Sequence, residues 1–280
     1  VPTVITGAAS GIGRALALRC AEEGMHVVAA DVEREELDQI EEELDAAGAR
    51  VLAVPTDVSK ADQVEDLARK AFETFGAVHL LCNNAGVGAG FSAWETTMKD
   101  WEWVLGVNLW GVIHGLRAFV PTMLEQESEG HIVNTASVAG LISFHRNAAY
   151  QVSKHAVVAL SEKLHYDLQE RGARIKASVL CPAWVRTRIM EGHRNRPVGL
   201  QDDLEELAIT PEMMEGLEEY REACEAGIAP EEVADHVFQA IRDERFYIYT
   251  HPEYEPFVRV RMEAVVEGRN PTPLEGLGAM

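Results

Sequence analysis

Short apolar runs alternate along this chain with longer stretches in which apolar residues recur at helical spacing. The runs at about 1–5, 26–30, 51–54, 78–82, 131–136, 175–181 and 246–250 predict seven strands. The stretches between them predict helices. In Glu33–Asp45, for example, Leu37, Ile40 and Leu44 form an apolar stripe beneath an acid-rich face. Strand alternating with helix is the signature of a mostly parallel sheet covered on both faces, so the predicted class is α/β, doubly wound, as a single domain over 1–280. Two regions break the alternation. Residues 188–228 carry Glu-rich amphipathic pieces around Leu204-Glu205-Glu206-Leu207 and Met213-Met214, an insertion placed to overhang a site and close as a lid. Residues 252–280 read as one more helix, with Phe257, Val258 and Val265 apolar, and a Pro/Gly-rich tail that docks on another subunit.

The first strand runs directly into Thr6-Gly7-Ala8-Ala9-Ser10-Gly11-Ile12-Gly13 and then into a helical stretch, Arg14 to Glu23. That order builds a phosphate cradle. Gly7 permits a tight turn, Gly11 lets backbone approach a pyrophosphate, and Gly13 lets helix pack on strand, with the helix N-terminus left to receive the anion. The second strand ends in Asp31, eighteen residues after Gly13, where a carboxylate accepts hydrogen bonds from an adenosine ribose. A 2′-phosphate there meets a like charge, and neither Ser10 nor Val32 supplies a cation. NAD is therefore expected over NADP, with Arg14 and Arg34 the nearby cations that weaken the preference.

Tyr150 and Lys154 stand four apart at the start of a helical pattern, so their side chains share a face, and Ser137 lies thirteen residues before the tyrosine. A nearby ammonium favours the phenolate. Bringing a phenol from about pH 10 to neutrality takes roughly 4 kcal/mol of preferential phenolate stabilisation, which the lysine and a positively charged cofactor ring are expected to supply. Such a tyrosine donates or accepts a proton at physiological pH. Asn108 interrupts the helical pattern Lys99–Glu125, whose apolar positions are Trp101, Val104, Leu105, Leu109, Ile113 and Leu116; a buried amide there must satisfy its hydrogen bonds, for instance at a kink.

T-G-x-x-x-G-I-G, Asn83-Asn84-Ala85-Gly86, Asn108 in N-x-x-G, Ser137, Y-x-x-x-K and Pro182 to Thr187 together resemble the short-chain dehydrogenase/reductase family over roughly residues 1 to 187. The resemblance implies a Rossmann fold, a nicotinamide dinucleotide, and interconversion of an alcohol and a carbonyl by a Ser-Tyr-Lys centre assisted by asparagine. On this chain the catalytic set is Asn108, Ser137, Tyr150 and Lys154, with Asn108 holding a water that links the lysine to solvent. The cofactor set is Gly7, Ser10, Gly11, Ile12, Gly13, Asp31, Asp57, Val58, Asn84, Ala85, Gly86, Tyr150, Lys154, Pro182, Val185 and Thr187. Asp57 and Val58 would meet the adenine, although Asp57 reads equally well as a turn or N-cap residue. The chain departs from the family pattern at Pro182-Ala183, where the family has Pro-Gly, which bears on the nicotinamide wall. Phe91, Trp94, Ser143, Phe144, Trp184 and Met190 flank the motifs and are expected to wall an apolar substrate pocket.

A formal charge of −21, from 25 Lys+Arg against 46 Asp+Glu, repels phosphate backbones and anionic membranes, so neither nucleic acid nor membrane is an expected partner. No apolar run approaches the roughly 20 residues that cross a bilayer. Cys20, Cys82, Cys181 and Cys224 lack C-x-x-C spacing, and His131, His155 and His165 lack ligand partners, so no metal is expected; Cys82 and Cys181 read as buried small hydrophobes. A cytoplasmic location is the default for such thiols. The helices bearing Asn108 and Tyr150 carry surplus apolar residues, Trp103, Trp110 and Phe119 on one and Val157, Val158, Leu160 and Leu164 on the other, which predict a homodimer or, more specifically, a homotetramer. The expected function is an NAD-dependent alcohol dehydrogenase or ketone reductase acting on a small apolar substrate. The alternatives are a sugar-nucleotide epimerase or dehydratase using the same Tyr-Lys pair, and a non-enzymatic NAD-binding regulator.

Overall fold

Val4 and Ile5, Val27 and Val28, Leu81 and Cys82, and Ile132 and Val133 are successive buried residues whose side chains point to opposite faces of a sheet. Each strand therefore has two dry faces, which is why these runs are continuously apolar rather than alternating. A computed structural model describes residues 1–201 and 210–271. Among them the strands are β1 Pro2–Thr6, β2 His26–Asp31, β3 Val51–Pro55, β4 Leu80–Asn83, β5 Gly130–Thr135, β6 Ile175–Cys181 and β7 Tyr247–Tyr249. Their order is β3-β2-β1-β4-β5-β6-β7, and every neighbouring pair is parallel. This is the doubly wound Rossmann sheet expected from the alternation.

Strand order reverses between β1 and β4, so the crevice opens at the carboxyl ends of those two strands. Register brings the chemistry to that edge: Thr6 lies opposite Ala30, Asp31 opposite Pro55, and Asn83 opposite Asn134. Helices α1 Gly11–Glu22, α2 Arg34–Ala46, α3 Ala61–Phe75, α4 Met98–Leu105, α5 Gly111–Glu125, α6 Ala148–Glu170, α7 Pro211–Ala226, α8 Pro230–Arg242 and α9 Glu255–Glu267 complete the described elements. Leu16, Leu37, Leu44, Val237 and Phe238 fill one side of the sheet; Leu67, Phe119, Met123, Leu164 and Leu168 fill the other. Each such side chain contributes about 1.5–3 kcal/mol on burial.

Between α4 and α5 the chain widens into one π-helical turn, Gly106–Trp110, that contains Asn108. The extra residue in a π turn shifts the face that follows it. Of the expected apolar positions Val104 is buried, whereas Trp101, Leu105, Leu109, Ile113 and Leu116 are only partly buried; Trp103 completes the buried face of α4, and past the π turn the buried side chains are Val112, Phe119 and Met123. Within Met98–Glu125 an 18-residue window is apolar and long enough by composition to cross a membrane, contrary to the sequence reading; Phe119 and Met123 of that span pack on the sheet. The surplus residues assigned to subunit contacts are largely accommodated within the chain. Trp103, Phe119, Val157, Val158 and Leu164 are all buried, while Trp110, Val152 and Tyr166 stay exposed.

After β6 the chain pairs Val185 with Ile228 in an isolated parallel bridge, so the insertion leaves and returns at one place. Its described parts are 3-10 turns at Ile189–Asn195 and Val198–Leu200 and helix α7. Leu204-Glu205-Glu206-Leu207, the side chain of Met213 and the tail beyond residue 271 lie outside the described residues.

Candidate active site

The turn after β1 needs a residue with positive φ, and Gly7 supplies it at φ 68°. Helix α1 follows without room to spare: a Cβ on Gly13 would lie 1.9 Å from the Gly7 carbonyl oxygen and 2.6 Å from Asn84 Nδ2. Ser10 is the N-cap residue, yet its side chain makes no capping bond, and the first intrahelical bond runs from the Arg14 N–H to the Ser10 carbonyl. The amides of Gly11, Ile12 and Gly13 therefore have no intrahelical acceptor. Ser10, Gly11 and Ile12 line a cavity of about 1100 Å³ together with Gly7, Asp31, Asp57, Val58, Asn84, Ala85, Gly86, Pro182, Val185 and Thr187, all expected cofactor residues. Gly13 stands behind that wall.

Thr6 braces the neighbouring strand end. Its hydroxyl accepts from the backbone N–H of Asn84 (2.9 Å) and Ala85 (3.1 Å), and Asn84 Nδ2 donates to the Thr6 carbonyl at 3.1 Å. Asp31 accepts from the backbone N–H of Ala9 at 3.0 Å and of Glu33 at 3.1 Å. Burial pushes its carboxyl above the usual range, and those two amides oppose the rise. Asp57 is a turn residue that also faces the cavity. Its Oδ1 accepts from the backbone and hydroxyl of Ser59 in a local turn.

Ser137, Tyr150 and Lys154 meet in the same cavity. Ser137 follows β5, where its Oγ accepts from the Ala139 N–H and donates to the Pro182 carbonyl, both at 3.1 Å. Tyr150 and Lys154 sit in the first two turns of α6, with Lys154 Nζ 5.4 Å from the tyrosine ring centroid. Lys154 is 3 % exposed and donates to the Thr135 carbonyl at 3.0 Å, a single bond for a group with three donors. Burial pushes the ammonium down to about 8 and the Tyr150 phenol up to about 12; a hydrogen bond with Ser137 opposes the latter. The chain alone thus holds the phenol protonated; the near-neutral value expected from the sequence counts also on a positively charged cofactor ring. Loss of water on burial is the largest cause of the rise, ahead of the hydrogen bond with Ser137.

Asn108, expected in the catalytic set, is buried and does not line the cavity. Its Nδ2 donates to the Val87 carbonyl (2.9 Å) and to Ser153 Oγ (3.0 Å), and its Oδ1 accepts from the Val87 N–H at 2.8 Å. Both amide donors are used, and Ser153 in turn donates to the Tyr150 carbonyl at 2.6 Å. A Cβ on Gly86 would stand in ordinary contact, 3.5 Å, with both Asn108 Oδ1 and Lys154 Nζ, so Gly86 borders both side chains.

Of the expected pocket residues, Phe144, Trp184 and Met190 line the cavity, and Trp184 meets Tyr220 of α7 edge-on at 5.5 Å. Phe91, Trp94 and Ser143 do not reach it. Trp94 is 84 % exposed, and Phe91 and Ser143 lie in the loops before α4 and α6, whose course a flanking-motif argument does not give. Ala183 has no left-handed φ, so replacing the family's glycine is conformationally cheap, and its N–H donates to His251 Nδ1 at 3.3 Å.

A family model described as short chain dehydrogenase matches residues 2–197. This chain belongs to the short-chain dehydrogenases. Among the relatives of this short-chain dehydrogenase, the CLA biosynthesis dehydrogenase/reductase of Lactiplantibacillus plantarum is 34 % identical over 262 residues, covering 94 % of this chain and 92 % of its own. The 1-deoxy-11-beta-hydroxypentalenate dehydrogenase of Streptomyces arenae is 37 % identical over 254 residues, covering 89 % and 82 %. A short-chain dehydrogenase/reductase from Burkholderia phymatum, solved in complex with NAD, superposes with a TM-score of 0.95 at 47 % identity and covers 99 % of this chain and 98 % of that one. The residues sequence reasoning missed are Thr6 as a brace, Ser153 beneath Asn108, and Glu33, Arg188, Arg194, Asn147 and Tyr220 in the cavity wall. Only Thr6 carried a signal, as the first residue of the glycine turn.

Proposed function

We propose that this short-chain dehydrogenase interconverts a secondary alcohol and its ketone with NAD, Tyr150 being the general acid/base. The observation that carries the reading is one cavity in which Ser137, Tyr150 and Lys154 face the uncapped first turn of α1 and the Asp31 carboxylate. The donor set suits a dinucleotide: open helix amides for a pyrophosphate, a carboxylate for ribose hydroxyls, and a buried ammonium with donors to spare. The NAD bound by the Burkholderia relative agrees.

When bound, the nicotinamide would accept or deliver the hydride. Lys154, held by Thr135, would take the nicotinamide ribose and, with the positive ring, draw the phenol down from its elevated value. Ser137 would hold the substrate oxygen with the donor now given to Pro182. Tyr150 gives its proton to the carbonyl oxygen in reduction, and its phenolate receives the alcohol proton in oxidation. Phe144, Trp184, Met190 and Leu200 offer apolar surface to the rest of a small substrate.

Tyr150→Phe keeps the ring and removes the hydroxyl. It should still bind NAD and lose roughly 10²–10⁴-fold in kcat; turnover near that of the wild type refutes the assignment. The exposed Trp110, Val152 and Tyr166 suit a homo-oligomer, and light scattering giving a mass near 30.9 kDa at micromolar concentration would refute that part.

A further inference from the structure

Asp31 was the one charged group the sequence placed at the adenosine ribose. The fold brings a second acid and two cations beside it. Glu33 donates its backbone N–H to Asp31 and turns its own carboxylate, 8 % exposed, towards the segment after β6. There the Arg194 guanidinium forks onto both carboxylate oxygens through Nε and Nη2, and its Nη1 donates to the Arg188 carbonyl at 3.0 Å. Arg188 reaches Glu36 at 3.4 Å, Glu191 at 3.1 Å and Glu33 at 3.9 Å. Asp31, Glu33, Arg188 and Arg194 all line the cavity. The two arginines weighed from the sequence are also engaged, Arg14 by Glu43 and Arg34 by Asp38.

An arginine fork fits a phosphate as well as it fits a carboxylate, because both present paired oxygens to the planar donors. Arg194 is therefore a phosphate-binding group already occupied by an internal anion. Burial pushes the Glu33 carboxyl up, but hydrogen bonds from Arg194 and Asn195 and the charge of Arg188 hold it below the usual range.

We propose that Glu33 is a cofactor-selectivity residue: it occupies the Arg194 fork, and with Glu36 it neutralises Arg188, so that neither arginine beside Asp31 is free for a phosphorylated adenosine ribose. Selectivity for NAD then has two parts. Asp31 repels the 2′-phosphate directly, and Glu33 withholds the cation that would otherwise attract it. The inference rests on the dinucleotide reading above.

Equilibrium titration of the full chain with NAD and with NADP, followed by calorimetry, tests it without turnover. Glu33→Gln preserves shape and keeps one of the two acceptors of the Arg194 fork while releasing one positive charge. It should tighten NADP binding about tenfold or more and change NAD binding less than about threefold. Glu36→Gln, at a more exposed site, should act in the same direction by about two- to threefold and serves if the first variant folds poorly. Adding Arg194→Gln to Glu33→Gln should erase the gain. An unimproved NADP affinity in Glu33→Gln, beside a wild type that binds NAD more tightly, overturns the proposal and leaves the dinucleotide reading standing. A gain that survives Arg194→Gln assigns the phosphate to another cation, such as Lys60, and also overturns it. A wild type that binds neither dinucleotide overturns both.

Discussion

The glycine turn after β1 and the strap after β6 face each other across one cavity, yet they are held by different forces. The turn is held by backbone. Thr6, Asn84, Ala85 and Asp31 are linked through main-chain groups, and Gly13 meets the Gly7 carbonyl with no space for a methyl. The strap, residues 186–201, is held by side-chain charges reaching both walls: Arg188 and Arg194 onto Glu36 and Glu33, and Arg196 onto Asp100 at 2.8 Å with its guanidinium 5.1 Å above the Trp103 ring. A backbone cradle cannot yield without unfolding. A strap pinned by ion pairs can exchange its partners, so binding geometry sits on the first and adjustment to substrate on the second.

The contrast breaks most readily at Gly13. Gly13→Ala must displace either the Gly7 carbonyl or the Asn84 amide, and about 3 kcal/mol of stability should be lost, together with dinucleotide binding. Urea denaturation and a NAD titration measure the two; a variant that binds NAD normally would show that the cradle yields after all.

On the strap side, Arg196→Ala strands the Asp100 carboxylate, which is 4 % exposed and also serves the cap of α4. A loss of about 2–3 kcal/mol is expected, since removing one partner of a buried pair leaves an uncompensated charge. Because Leu200 and Gly199 line the cavity beside it, substrate KM should rise more than that of NAD. Equal changes in both constants would count against a division of labour between turn and strap.

Lys154 gives the smallest and most conditional effect. Its ammonium titrates at about 8 in the fold and near 10.4 in the unfolded chain, so the folded state disfavours the charge. The penalty is complete below about pH 8 and fades to nothing as the pH rises past about 10.4. Lys154→Met should therefore be more stable than the wild type at pH 7, by roughly 2 kcal/mol after allowing for the lost bond to Thr135, while losing activity. The stability gap should close by about pH 10.5. A gap independent of pH would mean that the ammonium is not what costs stability here.

The alternation of apolar runs and helical stripes determined the sheet, because a strand dry on both faces can be written only in continuous apolar residues. The spacing of Gly7 and Gly11, and of Tyr150 and Lys154, determined which groups share the crevice, since a turn or a helix turn fixes the relative placement of residues a few positions apart. Tertiary structure decided whatever depends on long loops or on water. It turned the buried stripe of α5 by a π turn, carried Phe91, Trp94 and Ser143 away from the cavity, and raised the phenol that proximity to a lysine alone would lower. It also set Arg194 on Glu33, across 161 residues of chain. Local pattern carries no term for desolvation or for the path of an insertion, and both are properties of the packed molecule.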